Sequence, residues 1–119
     1  TVLSTIVSRP SPERLVIDAG SKTLSSDHAR GTKANAGFGA ILETNSETTI
    51  NQNLLIERLS EEHAVVSVNG CDNSLGVGQR VRLIPNHACV VTNLADYVHF
   101  VDQESLIETI RVDARGKNY

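Results

Sequence analysis

Ala64-Val65-Val66-Ser67-Val68-Asn69-Gly70 decides the reading of this 119-residue chain. A short, largely β-branched run passes directly into Asn-Gly, a dipeptide suited to the positive φ angles of a tight turn. Working outward, the same short-strand grammar recurs. Upstream, Leu54-Leu55-Ile56 precedes Leu59, and residues 38–42 read as a strand entered through Gly37 and Gly39. Leu15-Val16-Ile17 is ended by Asp18-Ala19-Gly20, and residues 1–8 alternate until Arg9-Pro10 stops them. Downstream come Arg80-Val81-Arg82-Leu83-Ile84, Cys89-Val90-Val91, Tyr97-Val98-His99-Phe100-Val101 and residues 106–112. Eight or nine short strands, punctuated by Gly, Pro, Asn and Asp, predict an all-β barrel or sandwich. Residues 57–63, where charge outweighs apolar periodicity, read as a turn or short helix. Residues 21–36 form a polar stretch longer than a hairpin requires, and loops of that length are functional or mobile.

The bulk numbers fit one soluble globular domain, with 39% hydrophobic and 21% charged residues and a mean hydropathy of -0.15. No apolar run approaches the roughly 20 residues of a membrane helix, and residues 1–8 lack the basic lead and long apolar centre of a signal peptide. A net charge of -3 and only four aromatic residues, Phe38, Tyr97, Phe100 and Tyr119, argue against a nucleic-acid partner, which calls for a clustered basic surface and stacking rings. Cys71 and Cys89 are too few for a disulfide framework and read as reduced thiols of a cytoplasmic protein. A Cys71–Cys89 bridge is the unsupported alternative. The chain contains no methionine, which fits a C-terminal fragment of a longer polypeptide.

Pro85-Asn86-His87-Ala88-Cys89 is the segment richest in chemistry. On an extended chain, positions two apart share a face with their Cα atoms about 6.5 Å apart. An imidazole and a thiolate so placed converge on one ion, with bonds of roughly 2.0 and 2.3 Å for zinc, while Ala88 packs inward. Two protein ligands leave a tetrahedral ion open to substrate or water, as a catalytic metal requires. Taken alone, His-x-Cys is a weak signal and reads more readily as a half-buried histidine beside a small apolar thiol on a strand. Of the remaining polar groups, His28, His63 and His99 are read as exposed. Gly76-Val77-Gly78 is read as a turn rather than a phosphate loop, and Cys71 as a loop thiol with no ligand role. Residues 18–27 line a site mouth or form a solvated hairpin.

A wider set of motifs surrounds that segment. Arg9-Pro10-x-Pro12 leads through Val16-Ile17-Asp18-Ala19-Gly20-Ser21-Lys22-Thr23-Leu24-Ser25-Ser26-Asp27. Leu59-Ser60-Glu61-Glu62-His63 follows, then residues 78–94 around Pro85-Asn86-His87, and the closing Val112-Asp113-Ala114-Arg115-Gly116-Lys117. In this order they resemble the C-terminal domain of the D-threonine aldolase/D-serine dehydratase family, which are fold-type III (alanine-racemase-like) pyridoxal-phosphate enzymes. The resemblance spans nearly the whole chain.

That resemblance implies an all-β, barrel-like second domain. It also implies a separate N-terminal α/β barrel that holds pyridoxal 5'-phosphate on its own lysine, so Lys22, Lys33 and Lys117 are not nominated. A divalent metal is implied at His87 and Cys89, zinc favoured by the soft thiolate and manganese the alternative. The implied substrate is a D-β-hydroxy amino acid, and the implied assembly a homodimer. A Lewis-acidic ion assists either loss of the β-hydroxyl proton in retro-aldol cleavage of D-threonine or departure of hydroxide in dehydration of D-serine. One metal position serves both. Two other readings remain: a non-catalytic β-barrel binding module, and a metal-independent racemase or lyase domain.

Overall fold

In a computed structural model, which describes residues 1–28, 37–70, 74–103 and 105–117, residues 64–68 form strand β5 (Ala64–Val68). Ala64, Val66 and Val68 are buried, while Val65 and Ser67 are half-buried. This is the period-two pattern of a strand with one face on the core. β5 lies between β2 (Arg14–Ile17) and β4 (Leu54–Leu59), antiparallel to both. β1 (Val2–Ser11) pairs with β2 and with β6 (Arg80–Pro85), and β6 pairs with β3 (Gly39–Ile41), again antiparallel. The resulting order is β3-β6-β1-β2-β5-β4.

The two end strands lie against each other. The Phe38 N–H donates to the Ile56 carbonyl at 3.0 Å, and an isolated bridge joins Leu42 to Ile50. Six strands thereby form a nearly closed barrel, as the sequence predicts. Its interior is filled by Ile6, Leu15, Ile17, Ile41, Ile56, Val66 and Leu83, all fully buried, so it is a packed core rather than a pore. A separate hairpin, β7 (Tyr97–Asp102) with β8 (Ser105–Arg111), stands outside the six-stranded sheet.

Four local expectations need correction. Pro10 does not stop the first strand, which runs on to Ser11. The β1–β2 register shifts between Ser8 and Ser11, and a proline is tolerated where the ladder is already irregular. Residues 57–59 continue β4 rather than forming a helix, with a shift between Ile56 and Arg58 that absorbs the charged pair Glu57-Arg58. The polar stretch from residue 21 begins with a helical turn, α1 (Ser21–Leu24), which delivers Leu24 into the core; residues 29–36 lie outside the described set. Residues 89–91 are not a strand: they belong to helix α2 (Ala88–Leu94), and Ala88 is exposed rather than packed inward.

Tertiary contacts explain α2. Thr92 turns its hydroxyl onto the Ala88 and Cys89 carbonyls at 3.3 and 3.1 Å, an intrahelical bond that β-branched threonine readily makes. The last carbonyls find partners over twenty residues downstream: Arg115 Nε donates to Leu94 O at 3.2 Å, and the Gly116 N–H to Asn93 O at 3.0 Å. Such end groups need satisfying wherever a helix stops, and here the chain's last described segment satisfies them.

Candidate metal centre

The segment carrying His87 leaves the barrel at the end of β6, where Pro85 pairs with Gly39. His87 is the N-cap of α2, in extended conformation, and Cys89 lies in the first turn. The premise that both residues sit on one extended strand is therefore corrected, because the chain turns helical immediately after His87. His87 is half-buried, and Cys89 is an exposed, free thiol. Cys71, and with it the alternative of a Cys71–Cys89 bridge, lies outside the described residues. Cys89 lines a depression of about 550 Å³ with Val90, Thr92, Asn93, Val112 and Lys117.

Sequence reasoning missed what surrounds the histidine. His87 Nδ1 lies 2.5 Å from Asp27 Oδ2. Asn86 Nδ2 donates to the carbonyls of Asp27 and Gly37, both at 3.0 Å. Gly37 sits at φ +70, where a Cβ would lie 2.6 Å from the Ile56 carbonyl, so that approach requires glycine. The Asp27 N–H donates to Ser25 Oγ at 2.9 Å. α1 and α2 pack together, which brings the loop after α1 onto the start of α2. No periodicity encodes this meeting of residues sixty positions apart.

The two ends of the 18–27 segment serve different ends. Asp18 accepts from Ser4 Oγ at 2.7 Å and from the Thr5 N–H at 2.6 Å. Burial alone would raise its pKa, but the bonds from Thr5 and Ser4 outweigh that and hold the carboxyl below its usual value. Asp18 therefore fastens β2 to β1. Lys22 reaches Glu62 at 2.6 Å and Glu61 at 3.1 Å, which raises its pKa. Gly20 lets α1 dock on that same turn, because a Cβ there would run into the Ser60 and Glu61 carbonyls.

His28, His63 and His99 are all exposed. The His28 ring lies 4.8 Å from that of Phe38, and His99 Nδ1 lies 2.9 Å from Thr109 Oγ1. Gly76-Val77-Gly78 is a turn, with the Gly78 N–H on the Ile6 carbonyl. A larger groove of about 750 Å³ lies elsewhere, between Arg80, Arg82, Glu47 and Gln103. It offers no imidazole or thiol, and its Arg82 is already paired with Glu47 at 2.9 Å. Among the described residues, no three His, Cys, Asp or Glu side chains are gathered as a metal cluster.

The chain thus carries a nearly closed antiparallel barrel with an Asn-His-x-Cys segment leaving the end of β6. The chain belongs to the family described as "Putative serine dehydratase domain", whose model matches residues 1–101. It is 39% identical over 123 residues to the uncharacterized protein Mb1449 of Mycobacterium bovis, covering 100% of this chain and 85% of that one. It is 31% identical over 116 residues to D-threonine aldolase of Arthrobacter sp, covering 97% of this chain but 26% of the aldolase. Among solved structures it superposes on D-threonine aldolase from Filomicrobium marinum with a TM-score of 0.77 and 26% identity, over 99% of this chain and 28% of that one. The chain thus spans about a quarter of each aldolase. No described helix is long and apolar enough to cross a membrane.

Proposed function

We propose that this chain is the metal-bearing C-terminal domain of a pyridoxal-phosphate-dependent lyase acting on D-β-hydroxy amino acids, with His87 and Cys89 as its metal ligands. The observation that carries the reading is the Asp27–His87 contact at 2.5 Å. Metal-ligating histidines characteristically give their other ring nitrogen to a carboxylate or carbonyl. The donor set also fits the group. An imidazole and a thiolate suit a borderline-soft ion such as zinc better than manganese, and with two protein ligands the ion keeps positions open for substrate or water. When bound, that ion supplies Lewis acidity at the substrate's β-hydroxyl. The pyridoxal phosphate, held by an α/β barrel domain beyond these 119 residues, supplies the electron sink.

This chain's own part is to hold and aim the ion's ligands and to present α2 to the partner domain. The matched family is described by dehydration and the Arthrobacter relative by aldol cleavage; one ligand pair serves either. A homodimer in the cytoplasm belongs to the same reading. In the full-length enzyme, His87→Ala should remove most turnover on D-threonine or D-serine and leave cofactor absorbance intact. Wild-type turnover by that variant in chelator would end the metal assignment. The 119-residue chain alone should neither turn over either substrate nor take on the yellow of bound pyridoxal phosphate.

One observation favours a second reading, a non-catalytic binding module. The mycobacterial relative is itself short, since 123 aligned residues make up 85% of it, so the family's β-domain also occurs with little added sequence. Metal binding with no lyase activity in the protein as expressed by its native host would select that reading.

A further inference from the structure

A neutral imidazole has one donor nitrogen and one acceptor nitrogen, whereas an ionised carboxylate only accepts. With the ring neutral and the carboxylate ionised, the contact between His87 Nδ1 and Asp27 Oδ2 is a hydrogen bond only when the proton sits on Nδ1. Nε2, with no hydrogen-bond partner among the described residues, is then left with a bare lone pair, the form a metal ligand needs. An unconstrained histidine in water prefers the opposite tautomer, so something in the fold must reverse the preference.

Asp27 is built to do this. Its N–H is held by Ser25 Oγ at 2.9 Å. Its carbonyl is held at 3.0 Å by the side chain of Asn86, the residue next to His87. The other hydrogen of the same Asn86 amide is fixed on Gly37. Ser25 stands at φ +67 and is 8% exposed, a conformation that persists only when its surroundings hold it in place. Asp27 is thus tied to the His87 segment twice, its carboxylate directly on the ring and its backbone carbonyl through the neighbouring Asn86.

We propose that Asp27 is a positioning residue that fixes the tautomer and aim of the His87 ring, with Asn86 holding Asp27 in place. The inference rests on the reading of His87 as a metal ligand, and its test separates the two. The His87 and Asp27 side chains are 44% and 60% exposed, and ion pairs that open to water add little to stability. Asp27→Ala should therefore leave the melting temperature nearly unchanged; a marked fall would mean that Asp27 serves the fold rather than the ring.

The test uses the 119-residue chain. Long-range proton–nitrogen correlation spectra of the metal-free protein, taken in mild alkali where imidazole is neutral, report which ring nitrogen is protonated. His87 should be Nδ1–H in the native chain, should move toward Nε2–H in Asp27→Ala, and should be restored in part by Asp27→Asn, whose carbonyl still accepts. Zinc affinity, read by competition with a chelating dye, should fall by about 10- to 100-fold in Asp27→Ala. An unchanged tautomer in Asp27→Ala would overturn the proposal. If the tautomer shifts as stated but His87→Ala binds zinc as tightly as the native chain, the metal reading fails and the Asp27–His87 coupling stands.

Discussion

Asp18 and Asp27 bracket ten residues, and the fold sends their carboxylates to opposite tasks, one fastening two strands and one touching an imidazole. Each task has its own signature. Asp18 titrates below its ordinary value of 3.8 in the folded chain. A carboxyl depressed by folding contributes stability that is fully present above its unfolded pKa and is lost as pH falls through the folded one. The melting temperature should therefore drop as pH is lowered from about 5 toward about 2, and Asp18→Asn should flatten that slope while lowering stability at neutral pH. An Asp18→Asn chain with an unaltered acid limb would remove Asp18 from the strand anchor. At this scale the sequence was only half legible. His87 and Cys89 stood out as chemistry-bearing types, but Asp27 was one polar residue among several in a long stretch. Its partner lies sixty positions away, and only the packing of α1 on α2 joins them.

The barrel strands were readable because each carries its own period. β5, β2 and β6 alternate buried and less buried residues within four to six positions. Their register then follows, since a slip of one residue would turn the buried set outward. α2 was not readable for the opposite reason. Cys89-Val90-Val91 has strand-like propensity, and what makes it helical is distant: Arg115 and Gly116 on the Leu94 and Asn93 carbonyls, with Arg115 also 3.0 Å from Asp96. The closing 112–117 motif thus serves the helix that carries Cys89. Arg115→Ala should destabilise that helix end by about 0.5–1 kcal/mol. Hydrogen exchange at the α2 amides should quicken by roughly two- to fivefold, with the barrel strands unaffected. Equal quickening in β5 would mean that Arg115 supports the whole fold instead.

At the scale of the molecule, the chain divides into a filled barrel and an exposed apolar hairpin. Phe100, Leu106 and Ile107 are 51%, 62% and 67% exposed, and an isolated two-stranded hairpin is marginal in water. The account as a whole depends on one ion held by one imidazole and one thiolate. X-ray absorption at the zinc edge of the zinc-loaded chain tests this most directly. The fitted shell should contain one sulfur at about 2.3 Å and one imidazole nitrogen at about 2.0–2.1 Å, completed by oxygen, and the sulfur should vanish in Cys89→Ala. A shell without sulfur in the native chain, or one that Cys89→Ala leaves unchanged, would contradict the account.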